Sequence, residues 1–125
     1  MDISKSRTIL LAEDEGPVRR LIARILGLRE FRILEAGHGE EALAVSEGHP
    51  GTIHLLITDI MMPIMNGQEL AARLTALRPD MAVLFISGYP GKHVPDSLDG
   101  FPRVDYLAKP FKVDELLGKV QRLLG

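Results

Sequence analysis

The sequence predicts an α/β fold in which helices cover both faces of a parallel sheet. Short apolar runs alternate with amphipathic, helix-like segments along the chain, which is typical of βαβ units. Three of the strand-like runs are almost wholly apolar, as expected of strands that are buried on both faces. The length of 125 residues, with 46% apolar and 26% charged residues, suits one domain spanning residues 1–125 with a core at about 7–124.

Each element is predicted from its own pattern of apolar residues. The strands are predicted at residues 8–13, 31–36, 53–59, 82–87 and 104–108, and the main helices at 17–28, 39–47, 68–77 and 113–124. The residues of the first helix expected to face the core are Val18, Leu21, Ile22, Ile25 and Leu26, and the opposite face carries Arg19, Arg20 and Arg24. The residues of the last helix expected to face inward are Val113, Leu116, Leu117, Val120 and Leu124. About five helices are expected, because a short polar one at 93–100, with Pro90, Pro95 and Pro102 around it, forms one turn or mostly loop.

Charged residues in two strands indicate the edges of the sheet. Arg32 and Glu35 lie in the second strand and Asp105 lies in the fifth, whereas the other three strands are almost wholly apolar. Edges at strands two and five match the order 2-1-3-4-5 of a flavodoxin-like, doubly wound sheet. That order comes from the match to a known arrangement, because periodicity alone does not determine it.

Ionisable and hydroxyl side chains stand at the ends of four predicted strands. Glu13 and Asp14 end the first strand, Asp59 the third and Ser87 the fourth, and Lys109 follows the fifth. The carboxyl ends of parallel strands share one edge of the sheet, where ligands bind, so we expect an acidic pocket beside a hydroxyl and an ammonium group. Crowded carboxylates raise each other's pKa, and a divalent cation relieves that repulsion. Mg²⁺ prefers such oxygen ligands, so the sequence predicts a magnesium site.

The composition argues against several functional classes. A formal net charge of -2 gives no basic footprint, so direct binding to nucleic acid is not expected. No apolar run approaches the ~18 residues that span a bilayer, and the N-terminus lacks the apolar core of a signal peptide, so we expect a cytoplasmic protein without membrane insertion. The absence of cysteine excludes disulfides, thiolate metal sites and cysteine catalysis.

With these residues the chain resembles the receiver domain of a two-component response regulator, which has the fold of the chemotaxis regulators. The resemblance covers about residues 7–124 and rests on five separated elements, namely Glu13-Asp14, the segment 59–67, Ser87-Gly88, Tyr106 and Lys109-Pro110-Phe111. It implies that Asp59 accepts a phosphoryl group from a histidine kinase or a histidine phosphotransfer domain. It also implies that Asp14 and Asp59 bind Mg²⁺ directly, Glu13 through water and Met61 through its backbone carbonyl.

The same resemblance assigns the remaining site residues. Lys109 and Mg²⁺ would neutralise the transferred phosphoryl group, whose transition state spreads negative charge over its oxygens. Ser87 would donate its hydroxyl to a phosphoryl oxygen, and Tyr106 would swing inward into the space that Ser87 vacates. A cis bond before Pro110 is expected to turn Lys109 towards the pocket. The resemblance therefore implies a phosphorylatable signalling switch rather than an enzyme with an external substrate.

Two departures from the commonest receiver pattern shape the expectations. Glu13 stands where Asp is frequent, which lengthens the side chain but keeps the charge, so metal binding should survive. The segment Ser87-Gly88-Tyr89-Pro90-Gly91 before a meagre fourth helix resembles receivers fused to hybrid sensor histidine kinases. We therefore expect either a receiver from such a kinase or a stand-alone regulator, without an output domain, and the sequence leaves open whether it forms a homodimer. Bulky Met61 and Tyr89, each two residues beyond a site residue, predict slow self-dephosphorylation.

Three other classes share part of this pattern. A flavodoxin-type cofactor binder has the same architecture, but the acidic run 13–15 would repel a flavin phosphate. Phosphatases with an aspartate nucleophile usually carry a second Asp two residues later, where this chain has Met61. A binding module that is never phosphorylated is disfavoured by the intact set of acids, hydroxyl and lysine. The alternative roles of single residues are a helix cap for Glu13 or Asp14, a loop cap for Ser87, a solvated charge for Lys109 and simple packing for Tyr106.

Overall fold

The computed structural model describes residues 7–88, 101 and 103–125. The elements in chain order are β1 (Thr8–Ala12), α1 (Gly16–Gly27), β2 (Arg32–Ala36), α2 (Gly39–Gly48), β3 (Leu55–Asp59), α3 (Gly67–Leu77), β4 (Ala82–Ser87), β5 (Val104–Ala108) and α4 (Val113–Leu124). The predicted strands and the four main helices are confirmed, and fewer than half of their bounds are shifted, each by one or two residues. The short helix expected at 93–100 lies outside the described residues.

The five strands form one parallel sheet in the order β2-β1-β3-β4-β5. This order confirms the predicted doubly wound arrangement, with the charged strands β2 and β5 at the edges. The register places Asp59 of β3 opposite Ile86 of β4, and Ser87 of β4 opposite Ala108 of β5. The carboxyl ends of β3, β4 and β5 therefore reach the same edge of the sheet.

The core lies in two layers, one on each face of the sheet. All residues of β1, β3 and β4 are buried, which explains their apolar composition. One layer packs α1 and α4 against alternate strand residues, which are Ile9, Leu11, Ile57, Leu84 and Ile86. The other packs α2 and α3 against the residues between them, which are Leu10, Leu56, Val83 and Phe85. Fully burying one such side chain stabilises the fold by about 1.5–3 kcal/mol, so these two layers hold the sheet edge in place.

Two residues predicted to face the core are exposed instead. Leu21 of α1 is 55% exposed, because the stripe that meets the sheet runs through Ile22 and Leu26, one turn apart, and Leu21 lies beside it. Val113 is 48% exposed because it is the first residue of α4, ahead of the buried pair that begins with Leu116. Within the described ranges, no helix is both long enough and apolar enough to span a bilayer.

Candidate functional site

The predicted acidic residues meet at the carboxyl edge of the sheet. Asp59 is the last residue of β3 and is 5% exposed, and Glu13 follows β1 directly and is 1% exposed. Asp14, the next residue, is exposed to solvent. One carboxylate oxygen from each of the three lies within 4.8 Å of the others, so the cluster expected from the sequence is present. Two of its three carboxylates are buried, which is unusual unless a positive charge compensates them.

Lys109 supplies that positive charge. Its Nζ lies 2.8 Å from Oδ2 of Asp59 and 2.8 Å from Oε1 of Glu13, so one ammonium group bridges the two buried carboxylates. The Lys109 side chain is itself only 18% exposed. The Lys109–Pro110 peptide bond is cis, as predicted. The backbone N–H of Lys109 donates to the carbonyl of Ser87 at 2.7 Å, which anchors this segment to the end of β4.

Burial and charge act in opposite directions on these groups. Burial is the main reason why the pKa of Glu13 rises from 4.5 to about 7, with a further increase from nearby Asp59, while the hydrogen bonds from Lys109 and from the Glu15 N–H lower it. Burial also lowers the pKa of Lys109, but its hydrogen bonds to Asp59 and Glu13 outweigh burial, so its pKa is raised overall. Lys109 therefore stays charged at neutral pH, whereas the pKa of Glu13 lies close to neutral pH.

The loop after β3 holds the second oxygen of Asp59. The N–H of Met61 donates to Oδ1 of Asp59 at 2.9 Å, so both carboxylate oxygens have a donor. The N–H of Gly67 donates to the carbonyl of Ile60 at 2.9 Å, and a Cβ on Gly67 would collide with the backbone carbonyl of Asp59. Only glycine lets α3 start so close to the strand end. The side chain of Asn66 caps that helix by accepting from the N–H of Glu69 at 2.9 Å.

Ser87 and Tyr106 lie on the side of the site formed by β4 and β5. Ser87 is fully buried at the end of β4, next to the strand segment that carries Lys109. Tyr106 of edge strand β5 is half-buried, pairs with Phe85 and packs against the core layer under α2 and α3. Tyr89 lies outside the described residues.

Two further residues that the sequence interpretation gave no site role contact the cluster. Oε1 of Glu15 lies 3.5 Å from Nζ of Lys109, although its side chain is 63% exposed. Nη1 of Arg19 donates to the carbonyl of Glu13 at 2.8 Å, whereas the sequence interpretation placed Arg19 on the face away from the core. The available signal was the acidic run 13–15, followed one helical turn later by an arginine.

The donor set fits Mg²⁺ better than a softer metal. The three acids offer hard oxygen atoms, and no histidine or cysteine joins them within the described part of the chain. Their buried negative charge favours an added cation, and the exposed side of Asp14 leaves room for the waters that Mg²⁺ usually retains. Glu13, Asp14 and Asp59 could therefore hold this ion.

Comparison with known proteins is consistent with this geometry. The sequence profile of the response regulator receiver domain matches residues 9–121. The sensor kinase CckA of Brucella abortus (strain 2308) is 35% identical over 123 residues, which is 98% of this chain but 13% of the kinase. The response regulator receiver protein CpdR of the same organism is 32% identical over 118 residues, covering 94% of this chain and 97% of CpdR.

Solved structures agree with the sequence relatives. The receiver domain of the hybrid histidine kinase CckA superposes with a TM-score of 0.81 at 37% identity, covering 94% of this chain and 99% of that one. The response regulator TrrA of Thermotoga maritima, solved in complex with Mg²⁺-BeF, gives a TM-score of 0.81 at 32% identity with the same coverage of 94% and 99%. This chain belongs to the response regulator receiver domain family of two-component signalling.

Proposed function

We propose that this receiver domain accepts a phosphoryl group onto Asp59 from the phosphohistidine of a histidine kinase or of a histidine phosphotransfer domain. The supporting observation is the environment of Asp59, a buried carboxylate whose oxygens are held by the Met61 N–H and by Lys109, beside two further acids. The proposal treats residues 1–125 as one receiver domain, either a stand-alone regulator like CpdR or part of a longer kinase like CckA.

In this proposal Asp14 and Asp59 would bind Mg²⁺ directly, Glu13 would bind it through water, and the carbonyl of Met61 would complete the protein ligands. The relative TrrA was solved in complex with Mg²⁺-BeF, which supports a cation-binding role for the acidic cluster of this chain. The bound ion would neutralise phosphoryl oxygens during transfer. A bound ion would offset the negative charge of the two buried acids that Lys109 now bonds, so the Lys109 ammonium group would be available to the phosphoryl group.

The transfer itself needs positioning and charge neutralisation. One oxygen of Asp59 attacks phosphorus, the bond between phosphorus and the donor imidazole nitrogen breaks, and its electron pair stays on the imidazole. The product on Asp59 is an acyl phosphate. Lys109 keeps its proton throughout and offsets the negative charge of the oxygens, which its raised pKa favours.

One experiment tests the phosphoacceptor directly. The protein is incubated with Mg²⁺ and acetyl phosphate, and its intact mass is measured. We expect a single added phosphoryl group on the wild type and none on Asp59→Asn. Asp105→Asn is the matched control, because Asp105 is a half-buried aspartate of β5 that pairs with Lys119 at 3.1 Å, outside the acidic cluster. No adduct on the wild type, or an equal adduct on Asp59→Asn, would contradict the proposal.

We further propose that Ser87 and Tyr106 transmit phosphorylation to the surface. The hydroxyl of Ser87 would bond a phosphoryl oxygen on Asp59, drawing in the end of β4, and Tyr106 would turn into the space that this movement opens. Their placement on the paired strands β4 and β5 supports the coupling. Amide chemical shifts of β5 should move when Mg²⁺ and beryllofluoride are added to the wild type, and should move far less in Ser87→Ala. Equal shifts in both proteins would refute the coupling.

The predicted lifetime of the acyl phosphate is long. Met61 lies two residues after Asp59 and is 49% exposed, and we propose that its side chain obstructs an incoming water. We expect the acyl phosphate to persist well beyond seconds, and Met61→Ala to shorten its half-life. Intact mass follows the decay of the phosphoprotein. Decay of the wild type within seconds would contradict the long lifetime, and an equal half-life in Met61→Ala would show that Met61 gives no such protection.

A further inference from the structure

Arg19 joins three separate parts of the molecule beside the acidic cluster. It lies on α1, and its guanidinium donates from Nη1 to the carbonyl of Glu13 at 2.8 Å. Its Nε lies 3.4 Å from Oε1 of Glu35 on edge strand β2. A Cβ placed on Gly37 would be 3.3 Å from Nη1, so the guanidinium also lies against the backbone that follows β2. The side chain is 23% exposed, which is low for an arginine on a surface helix.

Arg19 contacts Glu13 directly after the end of strand β1. Strand β1 ends at Ala12, and the N–H of Glu13 still donates to the carbonyl of Ala36 at 3.1 Å. Arg19 donates to the carbonyl of Glu13, which belongs to the peptide unit between Glu13 and Asp14. The Glu13 main chain is thus held by β2 on one side and by Arg19 on the other. The direction of that peptide unit sets where the carboxylate of Asp14 points.

We propose that Arg19 is a positioning residue for the metal site, which sets Mg²⁺ affinity by fixing the main chain of Glu13 and Asp14. Glu35 orients the guanidinium and offsets its charge, so the bond to Glu13 is kept without a free positive charge facing the cation. This inference rests on the proposed function, since it assumes that the acidic cluster binds Mg²⁺.

A purely electrostatic role and a positioning role predict opposite changes in Mg²⁺ affinity when Arg19 is removed. If Arg19 acted only as a nearby positive charge, its loss would strengthen the binding of a cation. If it positions the acids, its loss weakens binding. Partners that orient metal ligands typically contribute 10–100-fold in affinity, so the positioning effect should dominate.

The test is titration of the folded protein with Mg²⁺ by calorimetry at pH 8. We expect Arg19→Ala to bind about 10–100-fold more weakly than the wild type. Arg19→Lys, which keeps the charge and one donor, should lie between them, and Glu35→Gln should show a smaller loss. Arg24→Ala is the matched control from the exposed face of the same helix, with affinity unchanged or slightly increased. Phosphorylation of Arg19→Ala by acetyl phosphate should slow at low Mg²⁺ and recover at saturating Mg²⁺.

The outcomes separate this inference from the proposed function. Wild-type protein that binds no Mg²⁺ would remove the basis of both. Wild-type protein that binds Mg²⁺, with Arg19→Ala binding as tightly or more tightly, would overturn the positioning role alone, even if urea unfolding showed the variant to be less stable. If Arg19→Ala does not fold, Arg19→Lys and Glu35→Gln decide the question, and wild-type affinity in both would overturn it.

Discussion

Glu13 and Asp59 share the ammonium group of Lys109, and we expect the binding of a metal ion to be coupled to the release of a proton from Glu13. Lys109 lies 2.8 Å from an oxygen of each acid, yet burial still raises the pKa of Glu13 to about 7. A fraction of the Glu13 side chains is therefore protonated at neutral pH when no cation is bound. A cation favours the ionised form, so binding must expel that proton.

We expect Mg²⁺ affinity to rise with pH across the region around 7 and to level off once Glu13 is ionised. Below this pKa each bound Mg²⁺ should release close to one proton, and above it almost none. Calorimetric titrations in two buffers with different ionisation enthalpies, repeated from pH 6 to pH 8.5, measure the release. Glu13→Gln cannot release this proton, so its affinity should vary little over the same range. Equal proton release by the wild type and by Glu13→Gln would show that another group titrates.

The turn between β3 and α3 carries strain that the sequence does not reveal. Ile64 has a φ of 72°, in the left-handed region, and the N–H of Met65 donates to the carbonyl of Pro63 at 2.8 Å across it. This is a tight three-residue turn of a rare and strained kind. Its geometry is imposed by neighbours, because buried Met65 sits against Gly39, where an added Cβ would be 2.7 Å from its Sδ, and Gly67 abuts the end of β3.

Relieving this strain should stabilise the protein. A left-handed conformation costs a residue with a Cβ about 1–2 kcal/mol, Asn tolerates it better, and the Ile64 side chain is 94% exposed, so little burial is lost. Ile64→Asn is expected to raise the free energy of unfolding by about 1 kcal/mol in urea titrations. Ile64→Val retains the β-branch and the strain, so it should match the wild type. A less stable Ile64→Asn would mean that the exposed side chain makes stabilising contacts.

Across the whole molecule, the sequence predicts best what the sheet determines. Apolar strands and the rule that parallel strand ends share an edge were enough to bring Glu13, Asp14 and Asp59 together. The left-handed turn at Ile64 was not predictable, because isoleucine disfavours that conformation and only tertiary contacts impose it. The contact of Arg19 with Glu13 was missed for a similar reason: helical spacing gives the face of a residue but not where a long side chain folds back.

His54 lies at the amino ends of the strands, opposite the acidic cluster, and makes the stability of the whole protein depend on pH. Its Nδ1 accepts from the Thr8 N–H at 3.0 Å, which requires an unprotonated nitrogen, and its backbone bonds to both β1 and β4. Burial, and secondarily the charge of Arg7, lower the pKa of His54 from its ordinary value of 6.5.

The pKa of His54 is lower in the folded protein than in the unfolded chain. Below about pH 6.5 the unfolded chain therefore binds more protons than the folded protein does. The stabilising contribution of His54 is complete above pH 6.5 and declines as the pH falls towards the lowered value. Asn at this position offers an acceptor oxygen in place of Nδ1 and does not titrate. The unfolding free energy of the wild type minus that of His54→Asn, from urea titrations at pH 7.5, 6.5 and 5.5, should therefore decrease as the pH decreases.

Glu13 changes stability with pH in the opposite direction, since its raised pKa favours the folded protein at lower pH. Its contribution is common to both proteins and cancels in the difference. A difference that stays constant from pH 7.5 to 5.5 would exclude His54 as the origin of any acid destabilisation in this range.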